Sequence, residues 1–124
     1  RLHEALAQRL GRGPRRVLVL GLTFKENVPD LRNSKVADLV ARLAWLGHEV
    51  AVDDPLADPA EALAEHGLAL DPVALARRHD CVLLAVPHRH YLALGEGALR
   101  DCLAPGGVLA DLKGALAGRA DWTL

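Results

Sequence analysis

The stretch VLVLGLTFKENVPDLRNSK, residues 17–35, decides the fold class of this chain. Its first four residues are Val and Leu with no polar alternation, which is typical of a parallel strand buried on both faces. After it, residues 36–46 carry apolar side chains at the spacing of an amphipathic helix. Between the two lies a long charged loop, residues 22–33. The order strand, loop, helix predicts the opening unit of a sheet with alternating helices.

Similar apolar runs follow at 50–54, 81–86 and 108–112, and residues 68–70 (LAL) are a shorter candidate strand. Predicted helices lie between them, at 34–46, 59–66, 71–79 and about 96–103, after an N-terminal helix at 1–11. This alternation predicts an α/β fold, a Rossmann-like doubly wound parallel sheet of about five strands in three αβα layers. The commonest strand order for such a sheet is 3-2-1-4-5.

Helix boundaries are marked by polar caps and glycines. Asn33 or Ser34 can cap the helix at 34–46, and Gly47 can end it. Asp58 and Gly67 are the corresponding residues for the helix at 59–66. Asp71 and Pro72 repeat this arrangement at the start of the predicted helix 71–79.

Composition indicates one soluble globular domain. The chain has 124 residues, of which 51% are apolar and 25% charged, and its net charge is −1. This balance argues against nucleic acid or an anionic membrane as a partner. No apolar run approaches the roughly 20 residues that span a bilayer.

The chain begins at Arg1 inside a predicted helix, so we expect it to be part of a longer protein. Residues 12–16 (RGPRR) are predicted to form a hinge. The expected organisation is a connecting helix and linker from a preceding domain at 1–13, a Rossmann-like domain at 14–118, and a tail at 119–124 that is a candidate for disorder.

Cys81 and Cys102 are expected to be reduced, buried thiols. A disulfide and a catalytic thiol remain open alternatives, although neither cysteine lies in a motif typical of a nucleophile. Trp45 is expected to pack on the apolar face of its helix, and Arg77 and Arg78 to form a solvated helix end.

In a doubly wound sheet, ligands bind at the carboxyl ends of the strands where the strand order reverses. The loops 22–33, 87–91 and 113–115 should meet there. They hold Phe24, Lys25 and Arg32 in the first loop, His88 and His90 in the second, and Lys113 in the third.

The first loop lacks the glycines of the dinucleotide fingerprint G-x-G-x-x-G, since only Gly21 is present. Asp53 and Asp54 stand where a ribose-binding acid would lie, which is weak support for NAD without those glycines. We therefore expect side chains, in place of backbone amides, to bind the nucleotide. Lys25 and Arg32 would contact the phosphate charge, and the ring of Phe24 would contact a base or a sugar. The alternative is a solvated turn in which Lys25 pairs with Glu26 and Arg32 with Asp30.

His88 and His90 leave three possibilities open: a metal ligand pair, a histidine pointing into the cleft, or solvated side chains. No third ligand is evident in the sequence, and no metal is expected.

The motif GLTFKENVPDLRNSK resembles the C-terminal domain of the UDP-glucose/GDP-mannose dehydrogenase family, and most of all the branch that oxidises UDP-N-acetylhexosamines such as UDP-N-acetylmannosamine. Three further stretches agree in order and spacing: VAVDDPLAD, AVPHRHY and DLKG. The resemblance covers about residues 14–116.

The resemblance implies an enzyme that oxidises the C6 alcohol of a UDP-sugar to a carboxylate with two NAD⁺, in the cytoplasm, for surface polysaccharide precursors. The NAD-binding domain, the catalytic cysteine and a central domain that forms a homodimer would lie outside this chain. No catalytic residue is therefore expected here, and the chain alone should be inactive.

By position in the family motifs, the resemblance implies that Phe24, Lys25 and Lys113 contact the UDP-sugar. Arg32 would face the domain cleft and reach the phosphate of NAD. Lys113 replaces an arginine of some relatives, and Pro87 departs from the usual pattern before His88.

Two other functions compete with this one. The first is a non-catalytic nucleotide-binding or regulatory module with the same sheet. The second is a complete small NAD enzyme, against which the missing glycine fingerprint and the missing catalytic motif argue.

Overall fold

A computed structural model describes residues 2–123 of the chain; Arg1 of the predicted first helix and Leu124 of the predicted tail lie outside that range. The strands are β1 (Arg16–Leu20), β2 (Glu49–Asp53), β3 (His79–Leu84), β4 (Leu103–Asp111) and β5 (Trp122–Thr123). The α-helices are α1 (Leu2–Leu10), α2 (Lys35–Trp45), α3 (Pro59–His66) and α4 (Arg89–Arg100), and a one-turn 3₁₀ helix spans Ala74–Ala76.

The five strands form one parallel sheet in the order β2-β1-β3-β4-β5. Because β1 lies between β2 and β3, the connections run in opposite directions from β1, which is the reversal that the doubly wound prediction requires. The carboxyl ends of β1 and β3 therefore flank a crevice at the carboxyl end of the sheet.

The sheet is covered on both faces, which confirms the three-layer prediction. Alternate strand residues point to opposite sides, so β1, β3 and β4 each contribute to two cores. One core packs the sheet against α1, α2 and α3 and includes Leu6, Val17, Val19, Val40, Leu43, Ala62, Cys81 and Leu83. The other packs it against α4 and the 3₁₀ turn and includes Leu18, Leu20, Ala74, Val82, Leu84, Tyr91 and Leu99.

The two predicted caps are confirmed. Ser34 Oγ accepts a hydrogen bond from the Ala37 amide at the start of α2. Asp58 accepts one from the Glu61 amide at the start of α3, and Gly67 ends that helix in the left-handed conformation. Ser34 also donates to the Leu22 carbonyl oxygen at 2.6 Å, which ties α2 to the first loop.

Three helix predictions need correction. Residues 71–79 form only the turn Ala74–Ala76, because the backbone is already extended at Arg77 before β3 begins at His79. The helix predicted at 96–103 begins seven residues earlier, at Arg89, and continues through a non-helical Gly95 to Arg100. Residues 68–70 form no strand; the Asp71 amide just beyond them donates a single hydrogen bond to the carbonyl oxygen of Val52 in β2.

The packing role predicted for Trp45 is wrong. Its side chain is 75% exposed, since position 45 falls outside the stripe formed by Val36, Val40 and Leu43. The Arg42 guanidinium lies 4.7 Å from the ring centroid and covers part of the indole instead.

Both ends of the described chain join the domain. Leu2 and Leu6 of α1 are buried in the first core, although residues 12–16 were predicted to be a hinge. Trp122 and Thr123, predicted to lie in a tail, pair with Ala110 and Asp111 as β5. The predicted domain boundaries at 13/14 and 118/119 remain predictions.

No helix among residues 2–123 is both long enough and apolar enough to cross a bilayer. The longest, α4, has 12 residues.

Candidate functional site

A cleft of about 430 Å³ opens at the carboxyl end of the sheet, beside the reversal of strand order. We call it the carboxyl-end cleft. It is lined by Thr23, Phe24, Asn33, Lys35, Val36, Leu39, Ala85, Val86, Leu112 and Lys113. These residues come from the first loop (residues 22–33), from α2 and from the segments after β3 and β4. The first and third of the loops expected to form a site therefore meet here, whereas the lining includes no residue of 87–91.

Two of the predicted site residues lie in this cleft. Phe24 is 53% exposed, an unusual state for the only phenylalanine of the chain, and forms part of its wall. Lys113 lies on the other side, with Nζ 3.9 Å from the Glu26 carboxylate. The pairing of Lys25 with Glu26 that a solvated turn would predict is therefore replaced by a contact between two loops.

The other two predicted residues do not line the cleft. Lys25 is exposed in the first loop, next to Phe24, and its carbonyl oxygen accepts a hydrogen bond from the Thr23 hydroxyl. Arg32 forms a two-nitrogen ion pair with Asp30, as the solvated-turn alternative predicted. That contact raises the pKa of Arg32 and lowers the pKa of Asp30.

Sequence reasoning missed Lys35, the first residue of α2. It lines the cleft beside the amino end of the helix, where the helix dipole adds positive potential. The sequence contained an indication of this position, because Lys35 directly follows the predicted cap residue Ser34 and so lies at the helix end that was expected to point toward the ligand. All three lysines of the chain, Lys25, Lys35 and Lys113, thus lie in or next to this one cleft.

Several backbone amides of the first loop are already bonded within the protein. Those of Leu22 and Thr23 donate to Asp54 Oδ2 at 2.7 and 3.1 Å. The Phe24 amide donates to the Asp30 carbonyl oxygen at 2.6 Å, and the Asn27 amide to His88 Nδ1 at 2.9 Å. These four amides are not available as the phosphate cradle of a glycine-rich loop, so cationic side chains gain importance for an anion in the cleft.

Asp54 is a buried structural carboxylate and not a free ribose-binding acid. Burial alone would raise its pKa, but hydrogen bonds from His88 and from the Leu22, Leu56 and Thr23 amides outweigh burial and lower the pKa. Asp53 is also engaged, because it accepts a hydrogen bond from the Tyr91 hydroxyl at 2.7 Å. Burial, followed by that contact, raises the pKa of Tyr91.

The expectation of a solvated or cleft-facing His88 is wrong. Its side chain is fully buried, with Nε2 2.9 Å from Asp54 Oδ2. His90 is exposed on α4 and meets Tyr91 edge to face at 5.5 Å. Among residues 2–123, no group of three or more His, Cys, Asp or Glu side chains is arranged to hold a metal ion.

A second depression, of about 630 Å³, lies at the amino ends of the strands and includes Arg16, Asp71, Arg77 and Arg78. Within it, Arg77 forms an ion pair with Asp71, and Arg78 donates to the Asp101 carbonyl oxygen. Because ligands of a doubly wound sheet bind at the carboxyl ends of the strands, the carboxyl-end cleft is the candidate site.

The chain matches known proteins in the region that forms this cleft. Residues 18–118 match the model of the UDP-glucose/GDP-mannose dehydrogenase family, UDP binding domain. A UDP-N-acetyl-D-glucosamine 6-dehydrogenase of Pseudomonas aeruginosa is 41% identical over 98 residues, which are 79% of this chain and 23% of the relative. Protein CapL of Staphylococcus aureus is 40% identical over 116 residues, 91% of this chain and 26% of the relative.

A solved structure of the UDP-N-acetyl-mannosamine dehydrogenase Cap5O from S. aureus superposes with a TM-score of 0.69 over 96% of this chain and 26% of the other. At 21% identity this similarity concerns the fold. The chain spans about a quarter of the length of the relatives it matches.

Proposed function

The chain belongs to the UDP-glucose/GDP-mannose dehydrogenase family, whose UDP binding domain it matches, and from this premise we propose that its carboxyl-end cleft binds the UDP portion of a UDP-sugar. Phe24 and the apolar wall formed by Val36 and Leu39 would contact the uridine. Lys113, Lys35 and Lys25 would meet the diphosphate.

The observation that carries this proposal is the distribution of donors around the cleft. The amides of Leu22, Thr23 and Asn27 are bonded within the protein, while three ammonium groups lie in or beside the cleft of a chain whose net charge is −1. A ligand with an aromatic base and two phosphates matches an apolar wall with cationic side chains.

For the complete protein we propose an NAD-dependent oxidation of the C6 alcohol of a UDP-N-acetylhexosamine to a carboxylate. Two successive two-electron oxidations would each reduce one NAD⁺, with water supplying the second carboxylate oxygen. The name of the P. aeruginosa relative supports this substrate class. Both the reaction and the sugar depend on parts of the protein outside this chain.

We also propose how the complete protein binds NAD, how it assembles and where it acts. Arg32, exposed on the first loop, would reach the phosphate of NAD across the domain cleft. The complete protein would be a cytoplasmic homodimer that makes precursors of surface polysaccharides. Two free, buried thiols agree with a reducing compartment.

Calorimetric titration of the chain with UDP tests the proposed site. Lys113→Ala and Lys25→Ala should each weaken UDP binding by about ten- to a hundredfold, the equivalent of roughly 1.5–3 kcal/mol for a charge-assisted contact. Arg32→Ala should leave UDP affinity within about twofold, and in the complete protein should weaken NAD⁺ binding instead.

Arg42→Ala is the matched control, because it removes a cation at the far end of α2, roughly 10 Å along the helix from the Lys35 end. It should change neither affinity. If the lysine variants bind UDP as tightly as the unmodified chain, the cleft is not the nucleotide site.

A further inference from the structure

A buried polar network connects the three loops that follow β1, β2 and β3. Asp54, after β2, accepts hydrogen bonds from the amides of Leu22 and Thr23 at the start of the first loop. His88, after β3, bonds Asp54 through Nε2 at 2.9 Å and the Asn27 amide through Nδ1 at 2.9 Å. Both His88 and Asp54 side chains are 0% exposed.

These contacts fix the tautomer of His88. A backbone amide can only donate, so Nδ1 must accept from Asn27 and carries no hydrogen. Nε2 therefore carries the hydrogen and donates it to the Asp54 carboxylate. The Thr23 hydroxyl, 3.2 Å from Nε2, donates to the Lys25 carbonyl oxygen, so its oxygen is free to accept a share of the same hydrogen.

The network holds the first loop at two points. Asp54 fixes residues 22 and 23, and His88 fixes Asn27, whose φ of 65° lies in the left-handed region. The Asn27 side chain also accepts a hydrogen bond from the Arg89 amide at 2.7 Å, at the start of α4. The residues between these two points are Phe24, Lys25 and Glu26.

We propose that His88 is a positioning residue for nucleotide binding: by accepting the Asn27 amide it holds the first loop in the shape that presents Phe24 and Lys25 to the ligand. This role rests on the proposed function of the cleft. If the loop is ordered before the ligand binds, binding does not have to pay the entropy cost of ordering it. The affinity for the ligand is therefore higher.

Two substitutions at His88 test the hydrogen bonds of the two ring nitrogens separately. His88→Asn puts an amide oxygen near the place of Nδ1, so it can still accept from Asn27 but no longer reaches Asp54. His88→Gln puts an amide nitrogen near the place of Nε2, so it can still donate to Asp54 but no longer accepts from Asn27. Each variant loses one buried hydrogen bond, and a merely structural role predicts equal effects on UDP binding.

The positioning role predicts unequal effects. His88→Gln should weaken UDP binding by roughly three- to tenfold, the value of one hydrogen bond, whereas His88→Asn should bind within about twofold of the unmodified chain. Both should lower the melting temperature of the chain. His90→Gln, at the exposed neighbouring histidine, is the matched control and should change neither property.

The outcomes distinguish this inference from the proposed function. An unmodified chain that binds no UDP overturns the proposed function and the positioning role together. An unmodified chain that binds UDP, with both His88 variants binding it equally well, overturns the positioning role alone.

If His88→Gln does not fold, NMR measurements on the unmodified chain test the positioning role of His88. Nitrogen NMR of the ring should show hydrogen on Nε2 and none on Nδ1. The Asn27 amide should exchange slowly with solvent before any UDP is added. Fast exchange that becomes slow only on addition of UDP would mean that the nucleotide and not His88 shapes the loop, and would overturn the proposal.

Discussion

Gly21 directly follows β1 and lies against Val86, in the segment that leaves β3. Its φ is +98°, and a Cβ built there would lie 2.5 Å from Val86 Cβ and 2.8 Å from the Val86 backbone nitrogen and oxygen. In the fingerprint G-x-G-x-x-G the glycines let the backbone approach a pyrophosphate, and Gly21 is the only one of them present here. The structure gives it a different task, since the first loop can leave the sheet beside β3 only if this position has no side chain.

We expect Gly21→Ala to destabilise the chain by about 2–5 kcal/mol, the sum of a left-handed backbone penalty and overpacking against backbone. Gly47→Ala is the matched control, because Gly47 has φ +100° and no atom within 4 Å of an added Cβ. It should cost only about 1–2 kcal/mol, the backbone penalty. Urea denaturation of both variants measures the difference, and equal losses would show that the contact with Val86 relaxes freely.

At the scale of elements, β5 shows how a two-residue strand is held in place. The Asp121 carboxylate accepts hydrogen bonds from Arg100 of α4 at 3.1 and 3.2 Å and from the Leu109 amide of β4 at 2.9 Å. Arg9 of α1 donates to the Asp121 carbonyl oxygen at 2.7 Å. One aspartate therefore joins two helices and a strand to the end of the described chain.

Asp121→Asn should lower stability at neutral pH by about 1–2 kcal/mol, because one charged acceptor for Arg100 and Leu109 is lost. Burial raises the pKa of Asp121, but the Arg100 and Leu109 contacts outweigh burial and lower the pKa. A carboxyl with a lowered pKa stabilises the fold above its unfolded pKa of about 3.9, and this contribution disappears as the pH falls through the folded value. The difference between the two proteins should therefore persist from pH 7 to about 4 and shrink below that.

Thermal unfolding across this pH range measures that difference. Glu65→Gln, at an exposed position near the end of α3, is the control and should stay within about 0.5 kcal/mol of the unmodified chain. A difference for Asp121→Asn that does not change down to pH 2 would contradict the assignment of its effect to the ionised carboxyl.

For the molecule as a whole, neither cysteine is suited to nucleophilic catalysis. Both are free and buried. Burial, with smaller contributions from Asp80 and Asp121, raises the pKa of the Cys81 thiol to about 12. Burial likewise raises the pKa of the Cys102 thiol. At neutral pH both remain thiols, whereas nucleophilic attack needs a thiolate.

We therefore expect the 124-residue chain to form no NADH when it is mixed with NAD⁺ and a UDP-N-acetylhexosamine, even at concentrations that saturate UDP binding. The absorbance of NADH measures this, with the complete protein as the positive control. In that complete protein, Cys81→Ser with Cys102→Ser should leave kcat within a fewfold. NADH formation by the chain alone, or a loss of kcat by orders of magnitude in a folded double variant, would contradict the expected absence of a nucleophile.

The amino-acid sequence by itself determined the fold class, the caps of α2 and α3, and the edge of the sheet at which the cleft opens. These features follow from local patterns: unbroken apolar runs, helical spacing, and polar residues at helix starts. The family also followed from the sequence, because its motif is contiguous. Phe24 and Lys113 could be selected because the carboxyl ends of parallel strands must meet.

Only the tertiary structure decided what Asp54 and His88 do. They are 34 positions apart in sequence, and nothing local shows that burial would bring their side chains within 2.9 Å. The same reason applies to Lys35, Trp45 and β5, whose surroundings are formed by elements distant along the chain. Local patterns fix which elements form, but the partner of a buried polar group is chosen by packing, because only the folded chain removes the water that would otherwise satisfy it.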